Sequence, residues 1–134
     1  MYTTLLILSG KLGGQAFSAA GVNGHGTSRL VVCEKKLGLR FLVDTGADIS
    51  VLPPSISERK KQVSLLNLVA ANGSNIAVYG RRSLSIDIGL RRIFKWTFTI
   101  ANVSRPILGA DFLSHFGIIV DLNSKKLIDK LTHV

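Results

Sequence analysis

The sequence predicts a single, mostly β domain, and three observations predict it. Short apolar runs rich in Val, Ile, Leu and Phe recur along the chain, broken by Gly, Asn, Asp and Pro. Several alternate, as Leu84-Ser85-Ile86-Asp87-Ile88 does, which is the period of a strand with one face buried. Helical spacing of apolar residues is confined to Ala110–Phe116, where Phe112, Leu113 and Phe116 fall on one face and Gly117 supplies a stop. At 134 residues with 46% hydrophobic and 19% charged, the chain has material for one core.

Each element follows from local chemistry. Leu30–Cys33 and Leu39–Val43 flank the turn Lys35-Lys36-Leu37-Gly38 and form a hairpin. Asp44-Thr45-Gly46-Ala47-Asp48 breaks the pattern, Ile49–Leu52 resumes it, and Pro53-Pro54 ends it. Ser55–Gln62 is polar and basic, a surface loop or a single helical turn. Leu65–Ala71 and Asn75–Tyr79 flank Asn72-Gly73, a pair that accepts positive φ at both centres of a two-residue hairpin turn. Ile93–Ile100 is a further strand, reached from Leu84–Ile88 through Gly89–Arg92. Ile107-Leu108-Gly109 is a buried strand meeting a turn, and Ile118–Val120 and Lys126–Ile128 bracket a turn at Asn123-Ser124. Neither an internal repeat nor a low-complexity tract is evident beyond the Gly-, Ala- and Ser-rich stretch from Ser9 to Ser28, which reads as a flexible leader.

Composition excludes several function classes. One cysteine, Cys33, rules out an internal disulfide framework and a multi-cysteine zinc site. The opening Met1–Leu8 is apolar for only a few residues, too short to span a bilayer, and lacks the basic flank of a secretion signal. A net charge of +9 permits contact with nucleic acid but carries no information about fold.

The segment with most chemical content is Phe41-Leu42-Val43-Asp44-Thr45-Gly46-Ala47-Asp48. A carboxylate at the end of an apolar strand is costly to bury unless neighbouring groups donate to it. Thr45 offers a hydroxyl and Gly46 an unobstructed amide, the arrangement that aspartic peptidases use. The alternative is an aspartate that merely caps a turn. A second segment, Ile107-Leu108-Gly109-Ala110-Asp111-Phe112-Leu113, weighs against that alternative.

With both segments in this order, and a hairpin between them, the chain resembles a retropepsin, the homodimeric aspartic protease of retroviruses and LTR retrotransposons. It is most similar to the protease region of gypsy-type retrotransposon polyproteins, from Ser28 to Ile128. The resemblance implies a retropepsin-like closed β-barrel with a flap hairpin and one short C-terminal helix. The protease domain is expected over 28–128, with a flexible leader or upstream polyprotein linker over 1–27 that has no match in the family domain, and the start of a downstream linker over 129–134. By the same resemblance Asp44 is the catalytic aspartate, with Thr45 and Gly46 completing the active-site loop. Ala47 and Asp48 line the adjoining subsites, and Ala71, Asn72, Gly73 and Ser74 form the flap tip over bound peptide. Ile107, Leu108 and Gly109 pack beneath the loop. Neither a cofactor nor a metal is implied, and the expected setting is the cytoplasm or a virus-like particle.

Stoichiometry points to a dimer independently. An aspartic peptidase needs two carboxylates sharing a proton, and this chain carries one Asp-Thr-Gly. Asp87-Ile88-Gly89 is the nearest second copy, but Ile88 lacks the hydroxyl. A symmetric homodimer would supply both aspartates from one gene.

Other residues carry less. His25, His115 and His133 are scattered without ligand spacing, and Cys33 reads as a small core residue in a strand. Asp111 is expected to accept amides at the helix start rather than act in catalysis. Asp48 has two open roles, binding substrate backbone or pairing with a cation such as Arg105 or an arginine of a partner chain. The doublets Lys60-Lys61, Arg81-Arg82, Arg91-Arg92 and Lys125-Lys126 read as solvated turn residues. Trp96 and Phe98 read as core rather than as a base-stacking platform, leaving only weak nonspecific RNA contact. The leading expectation is an aspartic endopeptidase that processes a polyprotein; the alternative is a catalytically silent dimerisation or binding module, with no membrane partner in either case.

Overall fold

The computed structural model describes residues 5–8, 29–61 and 67–132. Among the described residues, ten strands and two helices follow one another: β1 (Leu5–Leu8), β2 (Leu30–Cys33), β3 (Arg40–Val43), β4 (Val51–Leu52), α1 (Ile56–Arg59), β5 (Asn67–Ala70), β6 (Asn75–Ile86), β7 (Phe94–Ala101), β8 (Ile107–Leu108), α2 (Ala110–Phe116), β9 (Ile118–Asp121) and β10 (Lys126–Asp129). Most of the expected leader, together with Gln62, Leu65, Leu66, His25 and His133, lies outside the described residues. Within the leader, Leu5–Leu8 pairs parallel with β5.

The mostly β class and the short helix α2 hold, but the closed barrel does not. Eight strands form one sheet in the order β1-β5-β6-β7-β4-β8-β3-β2, and β9 and β10 form a separate antiparallel pair. A barrel closes only when its two outermost strands pair. Here the edges, β1 and β2, each pair with one neighbour, β5 and β3. The sheet is an open, curled half-barrel.

Its middle is buried on both faces. In β3, Phe41 and Val43 join one apolar cluster while Leu42 joins the other. In β4, Val51 and Leu52 divide the same way, as do Ile107 and Leu108 in β8. That two-sided burial explains why these strands read as continuous apolar runs rather than alternating ones, as strands in parallel pairs do. Leu42 and Val43 pair parallel with Ile107 and Leu108, bringing residues 65 positions apart side by side.

α2 covers one face through its rings. Phe112 lies 5.6 Å from Phe94 and 5.9 Å from Trp96, and Phe116 lies 4.9 Å from Phe94, all between ring centroids. Gly117, in the left-handed conformation, ends the helix. Phe98 is fully buried and Trp96 half-buried, so the aromatic run of β7 serves the core.

Three local expectations need correction. Cys33 is exposed, because it ends the edge strand β2 beyond the reach of the core. The hairpin turn after β5 is a three-residue loop. The Gly73 amide donates to Ala70 O at 2.8 Å and the Ala70 amide to Ser74 O at 2.9 Å. Only Gly73 takes a positive φ, 89°. Asn72 instead accepts from the Ser74 amide and hydroxyl at 2.9 and 2.7 Å, which holds the tip without a left-handed asparagine. Finally, two of the doublet arginines are structural. Arg82, within β6, donates from Nε to Glu58 of α1 at 3.1 Å. Arg92 donates to Asp129 at 2.7 and 3.1 Å and to Phe116 O at 3.0 Å, with its guanidinium 4.8 Å from the Phe94 ring centroid.

These pairs lower the acids they hold. The Arg82 hydrogen bond brings Glu58 from 4.5 to about 2, and the Arg92 hydrogen bond holds the fully buried Asp129 below its ordinary value. Glu34 is nearly sealed from solvent, which alone would raise it. Amides of Asp87, Leu37 and Lys36 donate to its carboxylate and outweigh that burial, so its pKa falls.

Candidate active site

Asp44 leaves β3 where the strand is flanked by β2 and β8, and it is 1% exposed. Its amide donates to Leu108 O at 3.0 Å, continuing the parallel ladder one residue past the strand. The chain then turns tightly. The Ala47 amide returns to Asp44 O at 3.1 Å, and the Gly46 amide donates to Asp44 Oδ1 at 3.0 Å. Thr45 and Gly46 are exposed at the apex, while Ala47 behind them is fully buried. The turn therefore presents one carboxylate, fixed by a backbone donor, with a hydroxyl-bearing residue and a glycine beside it on the surface. Asp48 is exposed on the same loop.

The loop after β8 wedges beneath this turn. The Ala110 amide donates to Ala47 O at 2.8 Å. A Cβ on Gly109 would stand 2.7 Å from Ile49 O and 2.8 Å from Ala47 O, so only glycine allows this approach. Ile107 and Leu108 are fully buried and carry the wedge on their two faces. Side chains complete the contact. The Gly109 amide donates to Ser50 Oγ at 2.8 Å, and Ser50 Oγ donates to Asp111 Oδ1 at 2.7 Å. Asp111 also accepts the Phe112 amide at 2.7 Å, so it does serve the start of α2.

The tip residues Ala71, Asn72, Gly73 and Ser74 are all exposed at the end of the β5–β6 hairpin. Asn72 and Ser74 line a cavity of about 220 Å³ with Ala70, Ile76, Asn102, Val103 and Ser104. The Asn102 amide donates to Ala77 O at 2.9 Å and ties the loop after β7 to the hairpin. Asp87-Ile88-Gly89 lies at the opposite end of β6. There Gly89 donates to Asp87 Oδ1, and the Asp87 amide donates to Glu34, so this triplet is a turn.

Sequence reasoning missed Ser50 and Glu34. Ser50 carries a signal in hindsight, a polar residue on the inward phase of an apolar run, but its partners are 59 and 61 positions away. Glu34 carries none, since a glutamate before a Lys-Lys turn reads as solvated. Among the described residues, no cluster of three or more His, Cys, Asp or Glu could hold a metal, and no helix is long and apolar enough to cross a membrane.

A family model described as "gag-polyprotein putative aspartyl protease" matches residues 33–115, more than half the chain and the whole of the site. Among solved structures, the retroviral protease-like domain of Ddi1 from Leishmania major is 17% identical over 76% of this chain and 86% of its own, with a TM-score of 0.55, and shares the fold. EIAV protease, in complex with an inhibitor, is 27% identical over 66% of this chain and 86% of its own, at a TM-score of 0.49. A retropepsin-like aspartic protease from Rickettsia conorii is 22% identical over 69% and 82%, at 0.46. The chain belongs to the retropepsin-like aspartic proteases, a family of aspartic-type endopeptidases.

Proposed function

We propose that this protein is a homodimeric endopeptidase in which each protomer contributes Asp44, and that it processes a retrotransposon polyprotein. The observation that carries the reading is the Asp44–Gly46 turn, a buried carboxylate held by a backbone amide with Thr45 and Gly46 exposed beside it. One such turn per chain supports an assembly in which two copies meet across their exposed apices, with Thr45 at the two-fold contact. Asp48 and the hairpin tip would border the substrate, which would bind extended, as a strand between tip and turn, with the fully buried Ala47 behind the turn rather than in contact with it.

In that assembly the two Asp44 carboxylates titrate as one unit and share a proton. The ionised member takes a proton from a water between them. The protonated member donates to the carbonyl oxygen of the scissile bond as the water oxygen attacks its carbon. The resulting gem-diol collapses with cleavage of the C–N bond and protonation of the departing amine. Closure of the hairpin over the substrate would exclude bulk water.

The test is cleavage of a mixed peptide pool in mildly acidic buffer, followed as enzyme is diluted, with Asp44→Asn as control. Wild-type cleavage absent in the mutant, with specific activity that collapses on dilution, is the expected result. A folded, dimeric wild type that cuts nothing would overturn the reading.

A further inference from the structure

We propose that Ser50 and Asp111 are positioning residues for the Asp44 carboxylate, an inference that rests on the catalytic reading of Asp44 above. The argument turns on a single peptide group. The unit joining Leu108 to Gly109 is planar and rigid, and both of its polar ends are committed. Its carbonyl, Leu108 O, accepts the Asp44 amide at 3.0 Å. Its N–H, on Gly109, donates to Ser50 Oγ at 2.8 Å. Rotating this plane to satisfy one end necessarily moves the other, so Ser50 sets the direction from which the backbone of Asp44 is held.

Ser50 can do this because its own hydroxyl is oriented. It has one hydrogen, and that hydrogen goes to Asp111 Oδ1 at 2.7 Å, leaving an oxygen lone pair for Gly109. Asp111 is fixed in turn by the Phe112 amide at 2.7 Å, and Phe112 is fully buried among the aromatic rings. The chain of bonds runs from the packed helix α2 through Asp111, Ser50 and the Leu108–Gly109 plane to Asp44. Ser50 is fully buried, so water is not at hand to replace its oxygen. A further hydrogen bond between the two loops, Ala110 N–H to Ala47 O, lies on the next peptide unit and does not engage the Leu108–Gly109 plane.

The experiment uses the full chain as its homodimer and compares Ser50→Cys, Ser50→Ala, Ser50→Thr, Asp111→Leu and Asp111→Asn with wild type. Three readouts are taken: kcat and KM on a peptide that wild type cleaves, hydrogen-exchange protection of the Asp44 and Gly109 amides, and the urea midpoint. Ser50→Cys nearly preserves volume but hydrogen-bonds weakly, so it weakens the two bonds without leaving the void that Ser50→Ala leaves. It is expected to lose on the order of 10²-fold in kcat, the cost of a misplaced reacting group, with KM little changed. Protection of the Asp44 amide should fall with it. Asp111→Leu should behave likewise, whereas Ser50→Thr keeps the hydroxyl and Asp111→Asn keeps an acceptor oxygen, and both should retain most of kcat. Unchanged kcat and Asp44 protection in Ser50→Cys and Asp111→Leu would overturn the inference. So would a loss of activity that merely tracks the folded fraction. A wild type that is folded but inactive would overturn the reading of Asp44 itself, and the exchange data would still decide whether Ser50 holds its backbone.

Discussion

Replacing Gly109 with alanine adds one methyl group, and the structure fixes what it meets. The new Cβ would stand 2.7 Å from Ile49 O and 2.8 Å from Ala47 O, against about 3.4 Å for ordinary contact. Both neighbours are backbone atoms of the loop that follows Asp44, so no side chain can swing aside. The two loops must part by about 0.7 Å, in the stretch where Asp44 N–H meets Leu108 O and Ala110 N–H meets Ala47 O. Gly109 has a φ of −102°, which alanine adopts freely, so the whole effect is steric. Overpacking of this kind costs about 1–3 kcal/mol. With a urea slope of roughly 2 kcal/mol/M, the midpoint should fall by ~1 M at fixed protomer concentration. A displacement approaching 1 Å at a reacting group costs on the order of 10²-fold in rate, so kcat should fall further than the folded fraction does. Gly109→Ala with wild-type midpoint and wild-type kcat would refute the wedge.

Phe94→Ala removes a fully buried ring that meets both Phe112 and Phe116, and should cost about 3–5 kcal/mol in urea unfolding. Arg92→Leu strips the partner from a fully buried carboxylate, Asp129, and should cost a similar ~3–5 kcal/mol; Asp129→Asn in the same background should recover part of that loss. Acid should destabilise the fold progressively. Glu34, Glu58 and Asp129 all have lowered folded-state values. The unfolded chain therefore takes up their protons first, and their contribution, complete above their unfolded values, is lost as pH falls through the folded ones. For Glu58 that window runs from 4.5 down to about 2, and Arg82→Leu should remove its part of the slope. A urea midpoint independent of pH across this range would refute the assignment.

Much of the site was legible because its bonds are local. Gly46 donates to Asp44 across two residues, and Asx geometry of that reach is encoded in the triplet itself. The helix α2 was legible for the same reason, through apolar spacing and a following glycine. What escaped depends on pairing at a distance. Whether a sheet closes is decided by its two outermost strands: the hairpin of Leu30–Cys33 with β3 was legible, but nothing in Leu5–Leu8 says that it pairs with β5 alone and not with β2. Cys33 was assigned to the core from the composition of its run, but position at the sheet edge decides exposure. Arg92 looked solvated because its carboxylate lies 37 residues away. The two-residue turn at Asn72-Gly73 failed more instructively. The pair does form a turn, but the asparagine side chain, not its backbone conformation, is the stabilising group.

The 12-residue strand β6 is not uniform along its length. From Arg81 to Ile86 it pairs continuously with β7, and Arg82 is pinned by α1. Toward the tip, Asn75 to Ala77 pair with β5. Between these regions the register slips at Val78 and Gly80, where φ reaches 143°, a value that side-chain-bearing residues rarely adopt. The result is a hairpin clamped at its root, bent at Gly80 and tied again at Ala77, whose O accepts the Asn102 amide. At roughly 3.3 Å per residue, the three steps from Ser74 to Ala77 leave about 10 Å of chain beyond that tie. A rotation of ~10° about that tie carries the tip about 1.7 Å and leaves the ladder with β7 intact. The glycine bend and slipped register thereby set the tip apart from the β6–β7 ladder, and that ladder, not the tip, borders the strands leading to Asp44.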